Sequence, residues 1–337
     1  MTPFDISRFQ NRAWKILARS FEARRIAGTY LFHGRDGVGR WALSLSFAAL
    51  LNCENTRKED AKNDYIAPCG VCRNCRKVFS LNFEGLYYAL PIPPHKNLDE
   101  AVDLTNEILQ IKRDEPFKIL SSTTSTTIPI AVAREIKKKL SYRATERITR
   151  VVLFYQMERM LAASADALLK LIEEPPPDTV IILTAERPQS LLPTIQSRAQ
   201  KVWLPRIPEE AIVFYLIEKY HLPEAKAKLL ARISQGSLGR AIEMIGIPEQ
   251  EDSSRRAVGL LLFKSLLLEP SPVVVAHMAD LLSAKDRGEA EDLLQLWQSM
   301  IRDCTHYALT GSESDIVNID FSAEIQKLSN YFADSKV

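Results

Sequence analysis

The stretch Thr29–Ala42, TYLFHGRDGVGRWA, constrains the fold more than any other part of the chain. A short apolar run ends at Gly34. Gly37 and Gly39 follow, and RWALSLSFAALLN then reads as a helix. Strand, glycine-rich turn and helix form the setting of a phosphate-binding loop, in which backbone N–H groups at a helix start face an anion. Such a strand, apolar along its whole length, is buried on both faces, and that places it in a parallel sheet.

Further buried-strand candidates are LYYAL (86–90), RVVLFY (150–155), TVIILTA (179–185) and KVWL (201–204). Helical patterns separate them, in IPIAVAREIKKKLSY and SADALLKLIEE, and an amphipathic helix with Phe9, Ala13, Ile16, Leu17 and Phe21 on one side precedes the first strand. The alternation predicts an α/β fold with a parallel sheet covered on both faces. It stops at Pro205. From Pro208 onward the pattern is helical only, over 208–220, 223–235, 237–246, 250–268, 271–284, 286–310 and 320–333, with GIPEQ as a second break. A chain of 337 residues divides naturally into two or three such parts. The segment 98–129 reads as a helix and then a Ser/Thr-rich loop, Ser121 to Thr127, and is expected to be a surface insertion.

A net charge of +2 argues against a chain that grips nucleic acid alone through a global basic field. No apolar run reaches membrane-spanning length, since VGLLLFKSLLLEP is short and interrupted by Lys264. With no secretory signal pattern at the N-terminus, the expected location is the cytoplasm.

Written against G-x-x-x-x-G-K-[ST], the loop reads Gly34, Gly39, Arg40 and Trp41. Arg40 keeps a positive charge but spreads it over a broad planar fork, and the Trp41 indole can only donate. Hydrolysis also needs carboxylates at the end of a neighbouring strand to hold Mg²⁺ and orient water. RVVLFYQMERM offers Tyr155 and Gln156 there, and Glu158 lies further along on what reads as the wrong face. Both magnesium fixtures are therefore missing from separate parts of the chain. ATP is expected to go unbound, or to be bound through Gly34, Gly37, Gly39 and Arg40 without hydrolysis.

Cys53 and the cluster PCGVCRNC, with Cys69, Cys72 and Cys75, make a four-thiol set. Its spacing suits a closed tetrahedral zinc site, structural because no ligand position stays open. An iron–sulfur cluster and free thiols are the alternatives. Cys304 stands alone on a helix and reads as core. Ser197 and Arg198, just before the last strand, are by themselves a weak signal. An arginine supplied from outside can stabilise charge on a transferring phosphate, but solvated arginines are common.

The order TYLFHGRDGVGR, LLNCEN, PCGVCRNC, DALLKLIEEPPPDTVIILTAERPQSLLPTIQSRAQ and ISQGSLGRAIEMI resembles the delta-prime subunits of bacterial DNA polymerase III clamp loaders. The resemblance covers roughly residues 5–246 and is most specific over 160–204. It implies an AAA+ module over 1–205 with a four-cysteine zinc insertion at 53–75, a helical lid domain over 206–248 and an all-helical collar over 249–337. It implies a non-hydrolysing subunit that helps open a sliding clamp and load it on primed DNA, within the DNA polymerase holoenzyme. Its partners would be the ATPase subunits and a delta-type subunit, with clamp and DNA reached through the assembly. It also implies that Arg198, supported by Ser197, acts in trans on a neighbour's ATP. Ala199 replaces the family's cysteine, Thr184 stands at the sensor position, and Arg240 lies one residue beyond the usual lid arginine, where Gly239 stands. The competing readings are an ATP-hydrolysing AAA+ clamp-loader subunit and a zinc-stabilised DNA-binding protein acting alone.

Overall fold

The computed structural model describes residues 5–58, 65–120, 125–142, 148–166, 168–246, 249–268, 271–284, 287–313 and 315–333. In chain order, α1 (Ile6–Glu22), β1 (Thr29–His33) and α2 (Arg40–Leu51) lead into a small hairpin, β2 (Arg57–Lys58) and β3 (Ile66–Ala67). Next come α3 (Arg73–Phe79), β4 (Leu86–Ala89), α4 (Leu98–Asp114), α5 (Ile130–Ser141) and β5 (Arg150–Phe154). After a 3₁₀ turn at Met157–Arg159 the chain continues through α6 (Ala162–Asp166), α7 (Leu169–Glu173), β6 (Thr179–Ala185), α8 (Pro193–Gln196) and β7 (Gln200–Trp203). Helices follow: α9 (Glu209–Tyr220), α10 (Glu224–Ile233), α11 (Leu238–Ile245), α12 (Glu249–Leu268), α13 (Pro272–Ala284), α14 (Arg287–Thr310) and α15 (Ser322–Ala333).

The main sheet is parallel in the order β4-β5-β6-β1-β7, with β1 paired to both β6 and β7. Every residue of β5 and β6 is buried, as apolar strands in the middle of a parallel sheet require. The two-residue period then sorts the side chains. Leu31, Val152, Ile181 and Leu183 join Ile136, Leu140, Leu171, Ile172 and Ile195 from α5, α7 and α8 in one core. On the other face Tyr30 and Phe32 meet Phe47 of α2, with ring centroids 5.2 and 6.4 Å away. The α/β arrangement with a parallel sheet read from the alternation is the observed one, with strand limits within a residue of those read from sequence.

Three local expectations differ. The helix read over SADALLKLIEE is two short helices, α6 and α7, parted at 167–168, and 167 lies outside the described residues. α1 leaves helical geometry at Gln10 (φ −134°, ψ 52°), whose buried amide donates to the carbonyls of Val38 and Pro205 at 2.9 Å. The segment 98–129 is not a surface insertion throughout: Lys112, Phe117 and Ile128 are 1–2% exposed. Of its Ser/Thr-rich loop, 121–124 lie outside the described residues.

By contacts the chain groups into two units, 1–215 with 236–242, and 216–235 with 243–337. The second has its own core of Leu260, Phe263, Met300, Cys304, Ile316, Ile325 and Leu328, so Cys304 is a core residue as its sequence setting predicts. Beside that core Asp303 accepts from Val317 N, Asn318 N and Asn318 Nδ2, and Arg256 pairs with Asp320.

Candidate functional site

The phosphate loop lies where β1, between β6 and β7 in the parallel sheet, hands over to α2, beyond the carboxyl end of β1, the position at which such sheets present ligand sites. Here protein packs closely against the glycines. Gly37 and Gly39 have φ of +76° and +97°. A methyl on Gly39 would strike the Phe117 ring at 2.7 Å, and one on Gly37 would meet Ser237 Oγ at 2.3 Å. Ser237 Oγ donates to the Asp36 carbonyl at 2.7 Å, and Gly239 N donates to the Gly37 carbonyl at 3.1 Å. A methyl on Gly239 would in turn sit 2.5 Å from the Phe117 carbonyl. The glycines permit close approach, as a phosphate loop needs, but what approaches is protein.

The charged and aromatic residues behind the loop are closed in the same way. Arg40 is buried, paired with Asp36 and 3.8 Å from Glu158 Oε1. This corrects the expectation that Glu158 faces away. Gln156 adopts a left-handed backbone (φ 54°), its N–H donates to Thr184 Oγ1 at 2.8 Å, and the turn that follows brings Glu158 back, where it accepts from Glu186 N at 2.9 Å. Trp41 stacks on Tyr88 at 5.6 Å and meets Tyr155 edge-on at 5.4 Å. The buried Lys112 ammonium lies 4.8 Å from the Tyr155 ring centre, donates to its hydroxyl at 3.2 Å and donates to the Lys118 carbonyl. Burial holds both tyrosine hydroxyls above their usual pKa, so they stay neutral. A neutral phenol is a poor substitute for a carboxylate on Mg²⁺.

The four clustered thiols converge. The Sγ atoms of Cys53, Cys69, Cys72 and Cys75 all lie within 4.8 Å of one another, and Cys69 and Cys75 are 3.9 Å apart. A tetrahedral site with Zn–S of about 2.3 Å places its sulfurs about 3.8 Å apart. Backbone N–H groups of Cys69, Cys72 and Cys75 point at Cys53, Cys69 and Cys72 sulfurs at 3.2–3.4 Å, the arrangement that favours thiolates. Burial raises the Cys69 thiol, but N–H donors from Cys72 and Val71 outweigh it and bring its pKa down to about 6. Burial raises Cys53 and Cys75, so a cation is what would make four thiolates tolerable together. The donor set fits a tetrahedral metal ion.

Ser197 and Arg198 close α8 ahead of the edge strand β7. Ser197 Oγ donates to the Thr194 carbonyl at 3.1 Å. Arg198 keeps 34% of its side chain exposed, donates from Nη1 to the same carbonyl at 3.0 Å, and has Nε 2.9 Å from Glu173 Oε2.

The family described as DNA polymerase III, delta subunit, matches over residues 9–208. The chain belongs to that family. Its curated relatives place it with the delta-prime type. The delta-prime subunit of Bacillus subtilis is 27% identical over 256 residues, covering 76% of this chain and 65% of that one. Its Escherichia coli counterpart is 25% identical, covering 68% and 57%. The E. coli tau subunit is 27% identical, covering 70% of this chain and 31% of that one. The chain thus spans less than two thirds of the length of each of these relatives.

In this delta-prime-type chain the structure gathers the expected loop residues Gly34, Gly37, Gly39 and Arg40 at one place and the four cysteines at another, with Ser197 and Arg198 beyond the end of α8. Sequence reasoning did not reach Phe117, Lys112, Ser237 or Glu173. Phe117 is the only large apolar residue in RDEPFK, an isolated signal that gives no direction.

Proposed function

We propose that this chain is the non-hydrolysing AAA+ arm of a clamp loader, acting on ATP held by a neighbouring subunit. The observation that carries the reading is the packing of Phe117, Ser237 and Gly239 against the glycines of its own phosphate loop, while Arg198 on the same unit is left part-exposed. The loop's glycines are packed against protein, and the carboxylates beside it, Asp36 and Glu158, are turned to Arg40 rather than standing as a pair for Mg²⁺. What the chain can still give to phosphate chemistry is a guanidinium delivered outward. Ser197 supports the turn that presents it.

In this reading the partners are ATPase subunits of the gamma/tau type and a delta-type subunit, with the sliding clamp and primed DNA engaged through the whole; the likeness to relatives named delta-prime and tau supports it. Cys53, Cys69, Cys72 and Cys75 would hold one zinc ion, which ties the 53–79 excursion together and takes no part in the reaction. The division into an AAA+ domain (1–205), lid (206–248) and collar (249–337) follows the end of the sheet at Trp203 and the helices after it. In this reading the chain works on DNA within a replication assembly, in the cytoplasm. No helix among the described residues is long and apolar enough to cross a membrane.

The test is Arg198→Ala in the complex reconstituted with the gamma/tau-type and delta-type subunits of the same genome. Folding and assembly should survive, because Arg198 is exposed and its ion pair is with an exposed Glu173. DNA-stimulated ATP turnover should fall at the neighbouring site, where such an arginine contributes about 10³–10⁵ in rate. Turnover equal to the unsubstituted complex would remove the role.

A further inference from the structure

We propose that Glu173 is a positioning residue for Arg198, an inference that rests on the reading of Arg198 as the group offered to a neighbour's ATP. Glu173 is the last residue of α7, and Arg198 follows the end of α8, so two separate elements set the pair. The guanidinium has three nitrogens. Nε lies 2.9 Å from Glu173 Oε2 in an ion-pair contact, Nη1 donates to the Thr194 carbonyl, and Nη2 has no acceptor among the described residues. A planar fork held at two corners points its third in one direction. Left alone, a long exposed arginine samples many rotamers, and only a few of them aim at any given oxygen.

Local chemistry offers Glu173 a different partner. Lys170, three residues earlier on the same helix, is exposed and at the spacing where helical ion pairs form, yet Glu173 pairs with Arg198. The pair does little for stability. With Glu173 52% and Arg198 34% exposed, it belongs to the class of surface ion pairs that add almost nothing to folding. Orientation is what it supplies.

The experiment is a double-mutant cycle in the reconstituted complex with primed DNA, reading kcat and KM for ATP in the parent, Glu173→Gln, Arg198→Ala and the double variant. Glu173→Gln keeps the size and removes the charge on an exposed residue. It should lower kcat by about two- to five-fold, the scale of an exposed ion pair, and leave KM for ATP unchanged. In the Arg198→Ala background the same change should have no further effect, because Glu173 acts only through that arginine. If Arg198→Ala is slow while Glu173→Gln matches or exceeds the parent, the positioning role is overturned and the arginine's role stands. A further loss in the double variant also overturns it. If Arg198→Ala itself leaves turnover unchanged, the reading beneath both fails.

Discussion

At the scale of the residue, Gly39 carries the most information. It sits at the start of α2 with φ +97°, and its missing methyl is the space that the Phe117 ring enters. Gly39→Ala should cost both the left-handed strain and a steric conflict in a closed interior, together about 2–4 kcal/mol by chemical denaturation. Gly311 is the matched control: it too has positive φ (+64°), with nothing within 4 Å of an added methyl. Gly311→Ala should cost only the strain, about 1–2 kcal/mol. Equal losses at the two positions would mean that Phe117 does not press on the loop. The sequence made the absent lysine and carboxylates readable at single positions, because those groups have fixed spacing to the glycines. It hid Glu158, whose direction depends on the left-handed turn at Gln156, a conformation that glutamine does not advertise.

At the scale of the element, α4 and the segment after it are the part that sequence could name but not place. A helix after Asn97 was readable, and its side chain caps Glu100 N as expected of an N-cap. Its destination was not. Phe117 finds Phe9 at 4.9 Å and Tyr215 at 5.5 Å, partners about 100 residues away on either side, and no local pattern encodes such a meeting. Tyr215 is fixed in turn by its hydroxyl, which donates to Glu115 at 2.6 Å. Phe117→Ala should open a cavity and lower stability by about 3–5 kcal/mol. It should not create an ATPase, because removing a ring restores neither a lysine nor a carboxylate pair. Calorimetric titration of this variant with ATP and Mg²⁺, followed by a phosphate-release assay, checks it; measurable turnover would mean that the loop lost its reaction to the ring alone.

At the scale of the whole chain, the two units have separate cores, and the four-cysteine cluster belongs to one of them. The sheet unit was legible because buried parallel strands announce themselves as continuous apolar runs. The cysteine module was legible because paired thiols at short spacing have few other uses. The helices of the second unit were legible as helices, whereas their core around Met300 and Cys304 depends on which faces meet, a matter that periodicity leaves open. All four clustered cysteines belong to the first unit, far in sequence from that second core. Cys75 is the fully buried member of the set. Purified protein should carry one zinc per chain, and Cys75→Ser should carry none. The loss should lower the melting transition of the sheet unit by about 4–12 °C, for ~2–3 kcal/mol at about 2–4 °C per kcal/mol, and leave that of the helical unit in place. Acid should act in the same direction as the substitution. Protons compete with the ion for thiolates, so zinc is held above the pH at which the sulfurs reprotonate and is released as pH falls through it. The parent chain should therefore lose zinc and the upper part of its first transition together on acidification, while Cys75→Ser, with no zinc to lose, should lack that step.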